Sequence, residues 1–467
     1  MAISEIKKNA GTKSGILDRS KPPKSGKPKD VNFPKFFETK SSNGITALVI
    51  QDKRLPLVTS RFVFKSGAYL DHFMGESKCG LGSLTSEILT KGTESRNASM
   101  IAEEIDFLGA GLTSGCSYDA TFVSSYSLKK YFDEVFDIMT DVILNPAFHE
   151  EELERSSDQR MNSLLSMIDD GDYLADKIFN RHVYWDSPYS YPIEGERASL
   201  KNITTGDLRN FYKKVFSPEN LIVAFVGDIS PDEALQKLEN NFSEWNNSYT
   251  KADEIILPEF NKTPRVFLTD KKGAVQSSLK IGHLGIKRNN PDFITLSVMN
   301  TMLGGYFTSR INKNLREVNG YTYGARSVFS CYRYSGDFSV TTEVKTDITS
   351  ETNKEILKEL NEIKNKFVGK EELQNVKNYI SGNFPMQLET PNDIASKAIS
   401  LKLHGLEDDY YNTYIRKVNE ITKEDIKEVA EKYLHTDRLI YSISGKSDDL
   451  KDEMQQFGEV EVTEDIF

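Results

Sequence analysis

The chain has 467 residues and a mass of 52.9 kDa, which is more than one ordinary hydrophobic core accommodates, so we expect two large domains. Its hydrophobic fraction of 38%, with 26 Phe and 21 Tyr, argues against disorder of the whole chain. The net charge of -11 argues against a nucleic-acid partner, because phosphate binding requires a basic face.

The first thirty residues are rich in Lys, Pro, Ser and Gly and predict an extended arm that has no core of its own. They contain no apolar signal-peptide core, and no later segment is apolar enough to span a membrane. We therefore expect a cytoplasmic protein with no membrane contact, or a periplasmic one if the chain is a mature form. Cys79, Cys116 and Cys331 lie far apart and predict reduced thiols.

Beyond the arm, strand-like segments break at Asn43-Gly44 and near Arg54-Leu55-Pro56, which predicts two neighbouring strands of a sheet. A helix from about Gly82 and a second over residues 97–110 follow. Strand-like residues 111–128 and a helix over 129–144, ended by Asn145-Pro146, come next. This order favours an α+β fold with mainly antiparallel sheets over regular βαβ alternation.

An internal repeat divides the chain. Within residues 203–230 and 421–447, Ile203, Asp207 and Gly227 fall without a gap on Ile421, Asp425 and Gly445. Both copies predict a capped helix, a turn and a buried strand that ends in Gly. We therefore predict two homologous domains, residues 31–245 and 264–467, joined by a linker over 246–263.

The order of elements, the repeat and three segments resemble one known family. The segments are "KCGLGSLTSEILTKGT", "WDSPYSYPIEGE" and "YFTSRINKNLREVNGYTYG". They are similar to the metallopeptidase family of pitrilysin, insulin-degrading enzyme and the mitochondrial processing peptidase. The resemblance implies that each domain is a mainly antiparallel sheet covered by helices. It also implies a His-x-x-Glu-His zinc helix in active members, whose Glu is the general base.

The zinc residues that the resemblance implies are missing here. Ser83 and Glu87 stand at the two His positions, Ser86 at the Glu position and Ser163 at the distal carboxylate ligand. Zinc sites normally use at least three protein ligands, so we expect no metal in this chain. The six histidines are scattered, and His149, beside two glutamates, is better explained as a helix start.

The second domain retains a different part of the family pattern. In the resembling family an Arg, and a Tyr seven residues later, hold the substrate beside the scissile bond, and Arg316 and Tyr323 match that spacing. The alternative is that Arg316 makes a helix-surface ion pair and that Tyr323 is an ordinary strand aromatic. We expect both tyrosines near this point, Tyr321 and Tyr323, to lie on a strand with alternating exposure.

The leading hypothesis is a non-zinc subunit of a heteromeric metallopeptidase, not a peptidase on its own, with zinc in a homologous partner and peptides as substrates. A glycine-rich loop like that of the mitochondrial non-zinc subunit is absent, because "LGGYF" is too short, so bacterial-type heterodimers are the nearer likeness. The runner-up is an inactive structural or peptide-binding homologue. An autonomous hydrolase with another metal site is the third hypothesis.

Overall fold

The computed structural model of the protein describes residues 31–75, 78–185, 187–249, 255 and 257–463. The predicted arm, residues 1–30, lies outside the described residues, and so does part of the predicted linker over 246–263.

The first sheet, as the described residues form it, has six strands in the order β1-β2-β6-β3-β5-β4. Its strands are β1 (Phe37–Lys40), β2 (Thr46–Gln51), β3 (Leu57–Phe64), β4 (Gly111–Cys116), β5 (Thr121–Leu128) and β6 (Leu221–Gly227). The helices of the same half are α1 (Leu81–Leu89), α2 (Ala98–Phe107), α3 (Phe132–Leu144), α4 (Glu150–Met167), α5 (Gly171–Val183), α6 (Arg197–Leu200), α7 (Thr205–Val215) and α8 (Pro231–Phe242).

The second sheet also has six strands among the described residues, in the order β12-β7-β11-β8-β10-β9. Its strands are β7 (Arg265–Asp270), β8 (Gln276–Leu284), β9 (Ala325–Cys331), β10 (Gly336–Lys345), β11 (Ile440–Gly445) and β12 (Glu459–Thr463). Its half contributes α9 (Phe293–Asn300), α10 (Arg310–Asn312), α11 (Thr349–Asn365), α12 (Lys370–Asn383), α13 (Pro391–Leu403), α14 (Tyr410–Glu420), α15 (Lys423–Tyr433) and α16 (Ser447–Met454).

The two sheets have the same topology over five strands, because β2-β6-β3-β5-β4 and β7-β11-β8-β10-β9 follow the same path. The copies of the sequence repeat occupy matching places, α7 with β6 and α15 with β11. Both helices begin with the same capping box, Thr204 with Asp207 and Thr422 with Asp425. The predicted α+β class, with two homologous, mainly antiparallel domains, is confirmed.

One local prediction is wrong. The break near Pro56 does not join neighbouring strands, because β6 lies between β2 and β3 and pairs parallel to the first and antiparallel to the second. Of the two predicted breaks, the Asn43-Gly44 turn alone joins adjacent strands, β1 and β2. All seven residues of β6 are buried, because apolar residues pack against both faces of this central strand.

One helix of each domain packs on the sheet of the other domain. Helix α5 of the first domain packs on the second sheet, where Ile178 and Phe179 join one apolar cluster with Phe267 and Ile440. Helix α13 of the second domain packs in the same way on the first sheet. Its buried residues there are Ile394, Ala395, Ala398 and Ile399. They cover the strand residues Leu48, Ile50, Ala224 and Val226. Because of this exchange, residues of the first domain's helix α5 lie against the second sheet.

None of the helices in the described part of the chain combines the length and the apolar character needed to cross a membrane. Cys79, Cys116 and Cys331 carry free thiols.

Candidate functional site in the second domain and the remodelled helix of the first

The N-terminus of helix α1 donates hydrogen bonds to the buried carboxylate of Asp71. Gly80 precedes the helix with φ 91°, a left-handed conformation that favours glycine. The backbone N–H groups of Gly80 and Gly82 donate to the two oxygens of Asp71, each at 2.9 Å. Burial raises the pKa of Asp71 to about 8, although these N–H groups favour the ionised form.

The apolar face of α1 forms part of the first domain's core. Leu84, Ile88 and Leu89 are buried, as their helical spacing predicts. Gly82 lies so close to the neighbouring helix α7 that a Cβ atom there would stand 2.8 Å from the ring of Phe211. The helix is therefore held tightly in place by packing.

The residues at the predicted zinc positions make ordinary protein contacts. The hydroxyl of the buried Ser86 donates to the backbone oxygen of Gly82 at 2.8 Å. Glu87 forms an ion pair with Arg160 of α4, whose side chain is only 14% exposed. Ser83 is half-buried, and Ser163, which follows Arg160 by three residues on α4, is exposed.

This set does not fit a zinc ion. Its one carboxylate, Glu87, is engaged by a guanidinium, and serine hydroxyls are poor substitutes for imidazole or carboxylate ligands. Nowhere in the described residues do three or more His, Cys, Asp or Glu side chains form a group that could hold a metal. His149 stands at the N-cap of α4, as predicted.

Arg316 lies on a π-helical stretch, Lys313–Val318, that continues α10. The backbone N–H of Asn319 donates to the carbonyl of Asn314, five residues earlier, at 3.0 Å. Such stretches are frequent at functional sites because they redirect a side chain. The Arg316 guanidinium stands 4.5 Å from the ring centre of Phe307, and no ion pair to it forms within the described residues. The alternative of a helix-surface ion pair at Arg316 is therefore not seen among the described residues.

Tyr323 is not on a strand. Strand β9 begins at Ala325, so Tyr321 and Tyr323 lie in the connection before it, because the N–H of Tyr321 still closes the π-helical stretch on Leu315. The alternating exposure of a strand is absent here, because Tyr321 and Thr322 are half-buried whereas Tyr323, at 94%, and Gly324 are exposed. An exposed phenol of this kind contributes little to its own fold.

Arg316 and Tyr323 line one open cavity of about 500 Å³. Its wall also includes Phe307, the backbone at Gly304 and Gly305, and Asp172 of α5 from the first domain. None of the four predicted zinc positions lines it. The structure therefore brings Arg316 and Tyr323 together and keeps them apart from Ser83, Ser86, Glu87 and Ser163.

The roles of four residues in these two regions were not predicted from the sequence. Arg160 could have been found, because it lies one helical turn from Ser163, but its partner becomes apparent only when α1 packs on α4. Asp71, Asp172 and Phe307 gave no signal in the sequence, because their roles depend on contacts between distant segments.

Comparisons with known proteins agree with this architecture. Residues 48–188 match the family described as insulinase, peptidase family M16, and residues 202–380 match the peptidase M16 inactive domain. An uncharacterised zinc protease, YmxG, of Bacillus subtilis is 25% identical over 68% of this chain and 76% of its own. A non-peptidase homologue, YmxG, of Helicobacter pylori is 25% identical over 83% of this chain and 89% of its own.

The fold has also been seen in a solved structure. A crystal structure of a peptidase M16 inactive domain from Pseudomonas fluorescens superposes with a TM-score of 0.82. It is 24% identical and covers 88% of this chain and 98% of that one, which demonstrates a shared fold. With both halves matched, the chain belongs to peptidase family M16 as a non-zinc member.

Proposed function

We propose that this chain is the non-zinc subunit of a heteromeric zinc metalloendopeptidase that degrades or processes peptides. It supplies Arg316 and Tyr323 to the site of a zinc-bearing homologous partner. One observation carries the proposal: an Arg without an ion pair and an almost fully exposed Tyr line the same open cavity, on a chain with no metal-binding group among its described residues.

The two side chains suit the role chemically. A guanidinium and a phenol O–H both donate hydrogen bonds, and a substrate carbonyl oxygen gains negative charge as water attacks it. Aimed donors of this kind lower the barrier by about 2.7–4 kcal/mol each. Phe307 holds the Arg316 guanidinium by a cation–π contact at 4.5 Å and leaves its N–H groups available.

The cavity around them suits an extended peptide. Gly305 exposes its backbone at the cavity wall, and the hydroxyls of Thr322 and Thr342, which also line the cavity, hydrogen-bond to each other. Asp172 and Glu343 add negative charge at the same cavity, which suits neutral or basic peptides, as does the net charge of -11.

The test is reconstitution with a zinc-bearing homologue from the same genome. We expect peptide cleavage only from the mixture, with a maximum at equimolar amounts of the two chains. Cleavage by the partner alone at the same rate would contradict the proposal.

A second candidate function is an inactive structural or peptide-binding homologue. The Helicobacter pylori relative favours it, because that protein is described as a non-peptidase homologue; the Glu87–Arg160 ion pair fits both candidates. Peptide binding to this chain, with no cleavage in any combination with homologous partners, would support the second candidate.

A further inference from the structure

A second cavity, separate from that of Arg316, lies between the two domains. Its volume is about 270 Å³. One side is formed by α5 and by residues 190–194 of the first domain, and the other by β8, β9 and β10 of the second sheet. Because both domains form its walls, it exists only in the assembled chain.

One carboxylate oxygen in this cavity lacks a partner. Asp337 of β10 is 1% exposed, and its Oδ2 accepts a hydrogen bond from the Tyr184 hydroxyl at 2.8 Å. Its Oδ1 has no hydrogen-bond partner among the described residues. A buried acceptor without a donor is costly, so such an atom requires a ligand or water. Burial also raises the pKa of Asp337, and nearby Lys280 and the hydroxyls of Tyr184 and Ser330 only partly oppose the rise.

The cations of the cavity wall are already engaged. Lys280 pairs with Asp176, and Lys177 pairs with Glu196 at 3.1 Å. By contrast, Glu194 lines the same cavity and its carboxylate forms no ion pair within the described residues. Two acidic groups, Asp337 and Glu194, are therefore available to a cationic ligand.

Aromatic rings complete the wall. The rings of Tyr118 and Tyr332 both line the cavity, with their centres 5.2 Å apart and their planes inclined at 68°. Tyr189 stacks behind Tyr332 at 5.1 Å and fixes its orientation. Tyrosine faces attract an organic cation, whereas a divalent metal requires a cluster of oxygen, nitrogen or sulfur ligands that the described residues do not provide.

We propose that this interdomain cavity binds one primary ammonium group, with Asp337 Oδ1 and the Glu194 carboxylate as its acceptors and the tyrosines as its walls. The ammonium group belongs either to a free small amine or to the amino terminus of a peptide. The inference does not depend on the proposed peptidase role, because it concerns a different cavity and needs no partner chain.

The experiment is calorimetric titration of the isolated full chain with butylammonium chloride, with the neutral isostere butyramide as the control ligand. We expect binding of the ammonium only. We expect Asp337→Asn and Glu194→Gln each to weaken it by about tenfold or more, a factor that corresponds to roughly 1.4 kcal/mol. Asp106→Asn, which removes an exposed carboxylate of α2, serves as the charge-matched control and retains the affinity.

Glu194→Gln decides the question if Asp337→Asn does not fold, because Glu194 is only half-buried. Titration with trialaninamide and with its N-acetylated form distinguishes the two sources, since tighter binding of the free tripeptide than of butylammonium identifies a peptide terminus. Equal binding of butylammonium and butyramide, unchanged affinity in both variants, or no binding at all would overturn the proposal. The last result would mean that water alone satisfies Asp337.

Discussion

At the residue scale, an ion pair engages Glu87 of α1, one of the four residues that the family resemblance placed at zinc-site positions. Glu87 and Arg160 join α1 to α4, with side chains 34% and 14% exposed. Partly buried pairs of this kind contribute more than exposed ones, because water screens them less.

We therefore expect a double-mutant cycle of Glu87→Ala and Arg160→Ala to give a coupling energy on the order of 1 kcal/mol. Urea unfolding of the four proteins measures it. The exposed pair Arg416–Glu420, four residues apart on α14, is the control and should give about 0.3–0.5 kcal/mol. A coupling energy between Glu87 and Arg160 no larger than that of the control pair would show that the ion pair does not hold the two helices together.

The carboxyl group of Asp71 predicts a pH dependence. Burial raises its pKa to about 8 from the ordinary 3.8. The folded chain thus retains a proton that the unfolded chain releases. The contribution of this group to stability is complete below pH 3.8 and is lost as the pH rises through 8.

The free energy of unfolding of the wild type, relative to Asp71→Asn, should accordingly fall between pH 5 and pH 9. Chemical denaturation at several pH values measures this difference, with the exposed Asp106→Asn as the control. A difference that stays constant from pH 5 to pH 9 would show that the N–H groups at the start of α1 keep the carboxylate ionised.

At the element scale, α1 is held in position by close packing. A Cβ atom at Gly82 would stand 2.8 Å from the ring of Phe211 and 3.2 Å from Asp71 Oδ1. These atoms belong to a buried aromatic side chain and to the carboxylate that accepts hydrogen bonds from the N-terminus of α1. Neither side chain can therefore move freely.

Gly82→Ala should therefore destabilise the protein by about 1–3 kcal/mol through overpacking. Gly382→Ala is the matched control, because Gly382 lies on α12 with no atom within 4 Å of the added Cβ. That change should be neutral or stabilise by up to about 1 kcal/mol. Thermal unfolding of both variants measures the difference, and equal melting temperatures would contradict the close approach.

The elements show which features a sequence can predict. Helices α1 to α3, the capping boxes and the repeat depend on local patterns, and they were predicted. The insertion of β6 between β2 and β3 depends on pairing across more than 150 residues, which local patterns do not encode. Tyr323 precedes the strand because the π-helical stretch uses additional residues. The Glu87–Arg160 ion pair could not be predicted from the sequence, because it forms only where α1 packs on α4.

At the scale of the whole molecule, the exchanged helices couple the two domains. The first sheet is covered by α13 of the second domain, and the second sheet by α5 of the first. Neither domain buries its sheet by itself, so each depends on the other for its core.

The chain should therefore unfold in one cooperative transition despite its two domains. Trp245 packs against the first domain's core, and Trp185 stands near the end of α5 on the second sheet, so fluorescence and circular dichroism report on both halves. Coincident midpoints would agree with this account. Two separated transitions, or a stable and soluble fragment of residues 31–245, would contradict it.

The most direct test of the proposed function is the turnover of the reconstituted pair with Tyr323→Phe and Arg316→Ala. If both side chains stabilise the transition state in the partner's site, each change should lower kcat by about a hundredfold or more while the two chains still associate. Tyr126→Phe and Arg416→Ala, exposed residues elsewhere, are the controls and should leave turnover unchanged. Full turnover with both variants would contradict the central claim.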